Sequence, residues 1–227
     1  MKEWLKRLFV PAFSGLLAAC MAELAAGMIF AKANALKGET GMLAGIADIM
    51  GESDVLWNIL FRSAATIPVL YFFYRRDVCS LSCGHGVWNG RRLFGSMLAG
   101  AVVSAGSFFI MRTGRPSAYA VQETLFSGKL WLSCTALLWA APLSEELFFR
   151  GILYQGLRDK LSPLASGFWS AVFFGLYHGN AAQGFYGFLM GLWLAFVMER
   201  SRTVAAPFFV HLSANLMVVI LRFSLEG

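Results

Sequence analysis

Apolar residues fill the chain in seven blocks, at 8–31, 55–74, 93–111, 129–157, 163–180, 183–199 and 204–223, each closed by charges or turn residues. Blocks of about 20 residues are long enough to cross the roughly 30 Å hydrocarbon core of a bilayer as helices. Helices are required there because lipid offers the backbone no other hydrogen-bond partner. The pattern therefore predicts an all-α fold: a polytopic transmembrane helical bundle of about seven spans, in a single membrane domain over 1–227. The first block follows Lys2, Lys6 and Arg7, as in a secretory signal. It is longer than the roughly 7–15 apolar residues of such a signal and carries Glu23, so it is read as a span.

Composition and charge narrow the picture. Hydrophobic residues make up 58% of the chain and charged ones 14%, against about 25% charged in soluble domains. A soluble globule, a disordered chain, a collagen and a disulfide-knit secreted domain are all excluded. The net charge of +6 sits in short clusters between blocks, which fits a lipid bilayer as partner and no nucleic acid. A cytoplasmic amino terminus puts Lys2, Lys6, Arg7, Arg75, Arg76, Arg91, Arg92, Arg158, Lys160, Arg200 and Arg202 on one side. It leaves Lys32, Lys37, Arg112, Arg115, Lys129 and Arg222 on the other, with Glu39, Asp48, Glu52 and Asp54. The positive-inside rule supports that orientation. Residues 42–50 read as a short interfacial helix.

Cys20, Cys79, Cys83 and Cys134 lack the spacing of a disulfide framework, and Cys79, Cys83 and His85 lack a fourth metal ligand. Trp88, Trp131, Trp139, Trp169 and Trp193 read as interface anchors or lipid-facing bulk. Gly175, Gly179, Gly184, Gly187 and Gly191 predict close helix packing, with room for a substrate backbone near His178.

An ionisable group inside a span costs several kcal/mol unless it is paired or wetted, so each one is a candidate for structure or function. Glu23 and Arg62 lie at matching depth on consecutive spans, about 12 Å from one end, and are expected to neutralise each other. The remaining groups are concentrated in the last 85 residues. Glu146 and Arg150 stand at i, i+4 in the favourable order for an ion pair. The adjacent Glu145 projects about 100° away and is left over, suited to a general base or a metal ligand. The next span ends in Phe174-Gly-Leu-Tyr-His178, and the last contains His211-Leu-Ser-Ala-Asn215. A lone histidine in an apolar helix is more often structural. Two histidines, a spare carboxylate and an asparagine on three helices favour a shared site. Counting rise along each helix puts Glu145 and His178 about level, at about 18 and 22 Å, with Asn215 near 18 Å and His211 near 12 Å.

Glu145-Glu146-x-x-x-Arg150, Phe174-x-x-x-His178 and His211-x-x-x-Asn215, in this order on successive hydrophobic helices, resemble the CPBP family of intramembrane proteases. That family includes the type II CAAX prenyl endopeptidases and bacterial proteins linked to bacteriocin self-immunity. The resemblance covers residues 129–223, expected to be the catalytic core, while 1–128 carries helices without a motif. It implies an intramembrane endopeptidase that hydrolyses a peptide bond of a membrane-anchored peptide or protein substrate, in the plasma (inner) membrane if the source is bacterial. Glu145 and His178 would activate the attacking water, and His211 and Asn215 would stabilise the oxyanion. Glu146, Arg150 and Phe174 would support them. The favoured reading is glutamic-type, with no cofactor; its alternative is zinc held by Glu145, His178 and His211. The competing functional reading is a non-enzymatic membrane immunity or scaffold protein whose polar cluster binds an ion or partner. A proton-coupled carrier lacks the expected inverted repeats and broken helices.

Overall fold

The computed structural model describes residues 3–35, 54–78, 89–114, 125–126 and 129–226. Among them are seven helices and no strand: α1 (Glu3–Ala35), α2 (Asp54–Phe73, continued by a π-helical stretch Tyr74–Val78), α3 (Gly90–Gly114), α4 (130–158), α5 (Pro163–Tyr177), α6 (Ala181–Ser201) and α7 (Ala205–Glu226). Each corresponds to one of the seven apolar blocks. By length and composition α1, α2, α3, α6 and α7 can cross a membrane. Their outward side chains are apolar, Met28, Ile110 and Phe185 among them, as lipid demands. The protein is an integral, multi-pass membrane protein.

The helices α4 and α5 depart from this pattern, and both carry motif residues. In α4, wide π-helical stretches at Thr135–Ala140 and Leu147–Tyr154 flank the ordinary α-helical turn Ala141–Glu146. Such wide turns are rare and collect at functional sites, where they redirect side chains. The helix touches α1, α2, α5, α6 and α7. This central placement explains how it tolerates two carboxylates and a guanidinium that lipid would reject.

With 15 residues, α5 is only about 22 Å long. Ser162 caps its start by accepting from the Ala165 amide, with Pro163 in the first turn. The block predicted to run to residue 180 stops at Tyr177. The chain turns at Gly179, whose φ of 72° lies in the left-handed region, and Asn180 then caps α6 through the Gln183 amide. His178 is therefore presented at a helix terminus and not from mid-helix.

The glycine pattern packs α5 against α6 as expected. A Cβ on Gly175 would lie 2.6 Å from the Gly184 carbonyl oxygen, and one on Gly191 2.9 Å from the Ala171 Cα. The neighbouring pairs are α1 with α2 and α3 with α7. At one end of the bundle Glu199 ties α6 to α4, accepting from the Tyr154 hydroxyl at 2.7 Å and from Arg158 Nε at 3.3 Å. Trp193 is not a simple lipid anchor, because its indole N–H donates to the Ser96 carbonyl at 3.4 Å. Cys20 and Cys134 are free thiols. The calls at 42–50, Cys79, Cys83, His85 and Trp88 lie outside the described residues.

Candidate active site

The motif residues converge. Glu145, Phe174, His178, His211 and Asn215, from α4, α5 and its end, and α7, line one cavity of about 200 Å³. Glu146 and Arg150 stand behind its wall, with side chains completely buried (0% exposed). Gln183, Tyr186, Ser107 and Arg62 also line the cavity, and none of them belongs to the motifs. Tyr186 further exchanges a hydrogen bond with Ser104 of α3.

Glu146 organises one side of the site. Its Oε1 accepts from Arg150 NH1 at 3.1 Å, the expected i, i+4 pair, and also from His211 Nδ1 at 2.8 Å. A charge pair with no access to water is held by its hydrogen bonds as much as by Coulomb attraction. Arg150 adds a bond from NH2 to the Gly191 carbonyl at 3.3 Å, and its guanidinium lies 4.4 Å from the centre of the Phe174 ring. The edge of that network is under-satisfied: Glu146 Oε2 and Arg150 Nε are buried without a hydrogen-bond partner among the described residues.

The hydrogen bond to Glu146 also orients His211. With Nδ1–H donated to the carboxylate, Nε2 is turned towards Glu145, whose Oε2 is 3.8 Å away. That is too long for a direct hydrogen bond and short enough for the two groups to act on one small molecule.

His178 is fixed by similar logic. Its Nδ1 lies 2.8 Å from the Phe174 carbonyl oxygen, which can only accept, so Nδ1 carries a proton, and in the neutral ring Nε2 keeps its lone pair. Phe174 serves both imidazoles, meeting His178 edge-on at 4.9 Å and His211 at 5.8 Å between ring centres. It is buried and acts as a wedge that sets the angle between them. Gly187 packs against the back of His178, since a Cβ there would lie 3.0 Å from Nδ1.

Asn215 donates from Nδ2 to the Leu137 carbonyl at 2.8 Å. Leu137 lies in the first π-helical stretch of α4. One N–H of the amide remains for another acceptor.

The mismatch in depth between His211 and Asn215 does not separate them, since both line the cavity. Glu23 and Arg62 pair as expected, with NH1 to Oε1 at 3.3 Å. Tyr177 was not anticipated: its hydroxyl accepts from Arg62 NH2 at 2.5 Å. Its only sequence signal is adjacency to His178. Among the described residues no three His, Cys, Asp or Glu side chains are grouped to hold a metal ion.

Comparison with known proteins agrees with the motifs. Residues 127–217 match the family model described as "Type II CAAX prenyl endopeptidase Rce1-like", a segment that contains every motif residue. A Bacillus subtilis (strain 168) protein named "Putative membrane peptidase YdiL" is 27% identical over 179 residues, covering 74% of this chain and 71% of that protein. No solved structure matches. The three motifs, the helical membrane fold and these two likenesses agree: over residues 127–217 the chain is similar to the type II CAAX prenyl endopeptidases, and over 179 residues to a protein named as a membrane peptidase.

Proposed function

We propose that the chain hydrolyses a peptide bond of a membrane-associated or lipid-anchored substrate with a water molecule activated by Glu145 and His178, in a glutamic-type mechanism without a metal. The observation that carries this reading is the convergence of Glu145, His178, His211 and Asn215 on one cavity inside the bundle.

The Glu145 carboxylate and the free Nε2 of His178 are the two bases that line the cavity. Water held between them loses a proton to Glu145 as its oxygen attacks the carbonyl carbon. Glu145 then returns that proton to the nitrogen of the leaving amine. The negative charge that develops on the carbonyl oxygen needs donors already in place, because a cavity in the bilayer supplies none by relaxation.

His211 supplies one of them. Its Nδ1–H is committed to Glu146, so it offers Nε2–H to the cavity only as the imidazolium. The second donor is the remaining N–H of Asn215. Glu146 and Arg150 are positioning residues that hold His211 and never touch the substrate.

The test is a comparison of peptide termini in membranes from cells expressing the chain or its Glu145→Gln variant at equal abundance. New carboxyl termini should appear with the first and vanish with the second, and the purified enzyme should keep its activity after exhaustive chelation. Full cellular function of Glu145→Ala would instead favour the non-enzymatic immunity or scaffold reading. Loss of activity on chelation, restored by zinc, would overturn the metal-free mechanism.

A further inference from the structure

Glu145 is reached from two cavities. The second, of about 300 Å³, lies between α1, α2, α4 and α5, walled mainly by apolar side chains such as Leu16, Leu70 and Phe148. Glu145 and Arg62 line both. Because Arg150 is sealed against Glu146, Arg62 is the guanidinium that a bound molecule can touch.

Arg62 is incompletely used. NH1 donates to Glu23 and NH2 to the Tyr177 hydroxyl. A guanidinium has five N–H donors, and the others find no partner among the described residues. A cation at this depth requires an anion. The one it has is held by a single 3.3 Å contact, with side chains 28% exposed for Arg62 and 47% for Glu23. Glu23 itself lines the second cavity, so a molecule that fills this space meets the pair directly. A guanidinium fork is shaped to grip a carboxylate through two parallel bonds, and Glu23 occupies only one arm of it.

We propose that Arg62 anchors the terminal carboxylate of the substrate peptide, which displaces Glu23. In the empty site Glu23 takes the place of that carboxylate and keeps Arg62 neutralised and aimed. That the bound peptide is a substrate rests on the hydrolase reading above; the binding does not.

The experiment therefore measures binding in protein that cannot cleave. The Glu145→Gln chain in nanodiscs is titrated with N-palmitoyl-(Ala-Leu)3 as the free acid, with the same peptide as its carboxamide, and with palmitate. The acid should bind at least about tenfold more tightly than the carboxamide, the factor that one charge-assisted contact supplies. Adding Arg62→Gln should bring the two affinities together. Adding Glu23→Gln should tighten the acid several-fold and leave the carboxamide unchanged, a gain that a purely structural ion pair would not give and that holds the test if Arg62→Gln fails to fold. Equal affinity for acid and carboxamide, no binding of either, or an acid affinity unmoved or weakened by Glu23→Gln would overturn the proposal. So would palmitate that binds as tightly as the peptide acid. A wild-type enzyme that cleaves nothing would leave this measurement intact, and its failure would leave the hydrolase reading intact.

Discussion

Two of the arginine–glutamate pairs among the described residues stand beside the candidate site, and they are built differently. Glu146 and Arg150 lie one turn apart on α4, both 0% exposed, 3.1 Å apart, and joined to α6 and α7 through Gly191 and His211. Glu23 and Arg62 lie on separate helices, make one 3.3 Å contact, and border a cavity. The first pair is enclosed by α4's central position, so neither charge can leave without stranding the other in a dry interior. The second borders open space, where another carboxylate or water can replace either partner. Burial, more than contact distance, separates a pair that fixes geometry from one that can be exchanged.

Arg150→Met should separate the two pairs most widely. It strands Glu146 and should cost about 3–5 kcal/mol of stability, read as a large fall in Tm in detergent and a loss of activity. A cost as small as that of Arg62→Met would show that burial does not distinguish the pairs. Glu146→Gln removes the charged acceptor of two hydrogen bonds, each contributing about 1.5–3 kcal/mol, and should release His211. If His211 acts on the oxyanion as proposed, the expected signature is a lower kcat with KM little changed.

Gly187→Ala probes the positioning of His178 apart from charge. A methyl group 3.0 Å from Nδ1 must push the ring slightly, so turnover should fall by less than the ~100-fold that a 1 Å misplacement costs, with Tm nearly unchanged. Unaltered turnover would mean that the position of His178 does not limit the activation of water. Glu23→Gln should have the smallest effect on Tm, below that of Arg150→Met, because Arg62 borders a cavity and keeps the Tyr177 hydroxyl as an acceptor. A large loss of Tm would make Glu23 a structural partner.

Much of this was legible in the chain. Seven apolar blocks became seven helices because a bilayer imposes length and hydrophobicity on each span, and both charge pairs followed from depth and i, i+4 spacing. The rest required three dimensions. The Glu146–His211 bond joins residues 65 apart, and no local periodicity reports it. The early end of α5 depends on Gly179 adopting a positive φ, which glycine permits and does not require. The depth count set His211 a turn away from its partners because it assumed upright helices with matched starts. The π-helical stretches of α4 have no compositional mark at all. Arg62 and Tyr177 were hidden as site residues for a related reason: they reach the cavity from outside the motifs.

The central claim is that Glu145 is the base for water in this cavity. The direct measurement reconstitutes the wild-type chain and its Glu145→Gln variant in liposomes with a substrate found from the terminal comparison, and follows single turnovers. The account predicts that Glu145→Gln retains its Tm and its affinity for the substrate while the rate of bond cleavage falls below detection. Cleavage by a folded Glu145→Gln protein at a rate near wild type would contradict it.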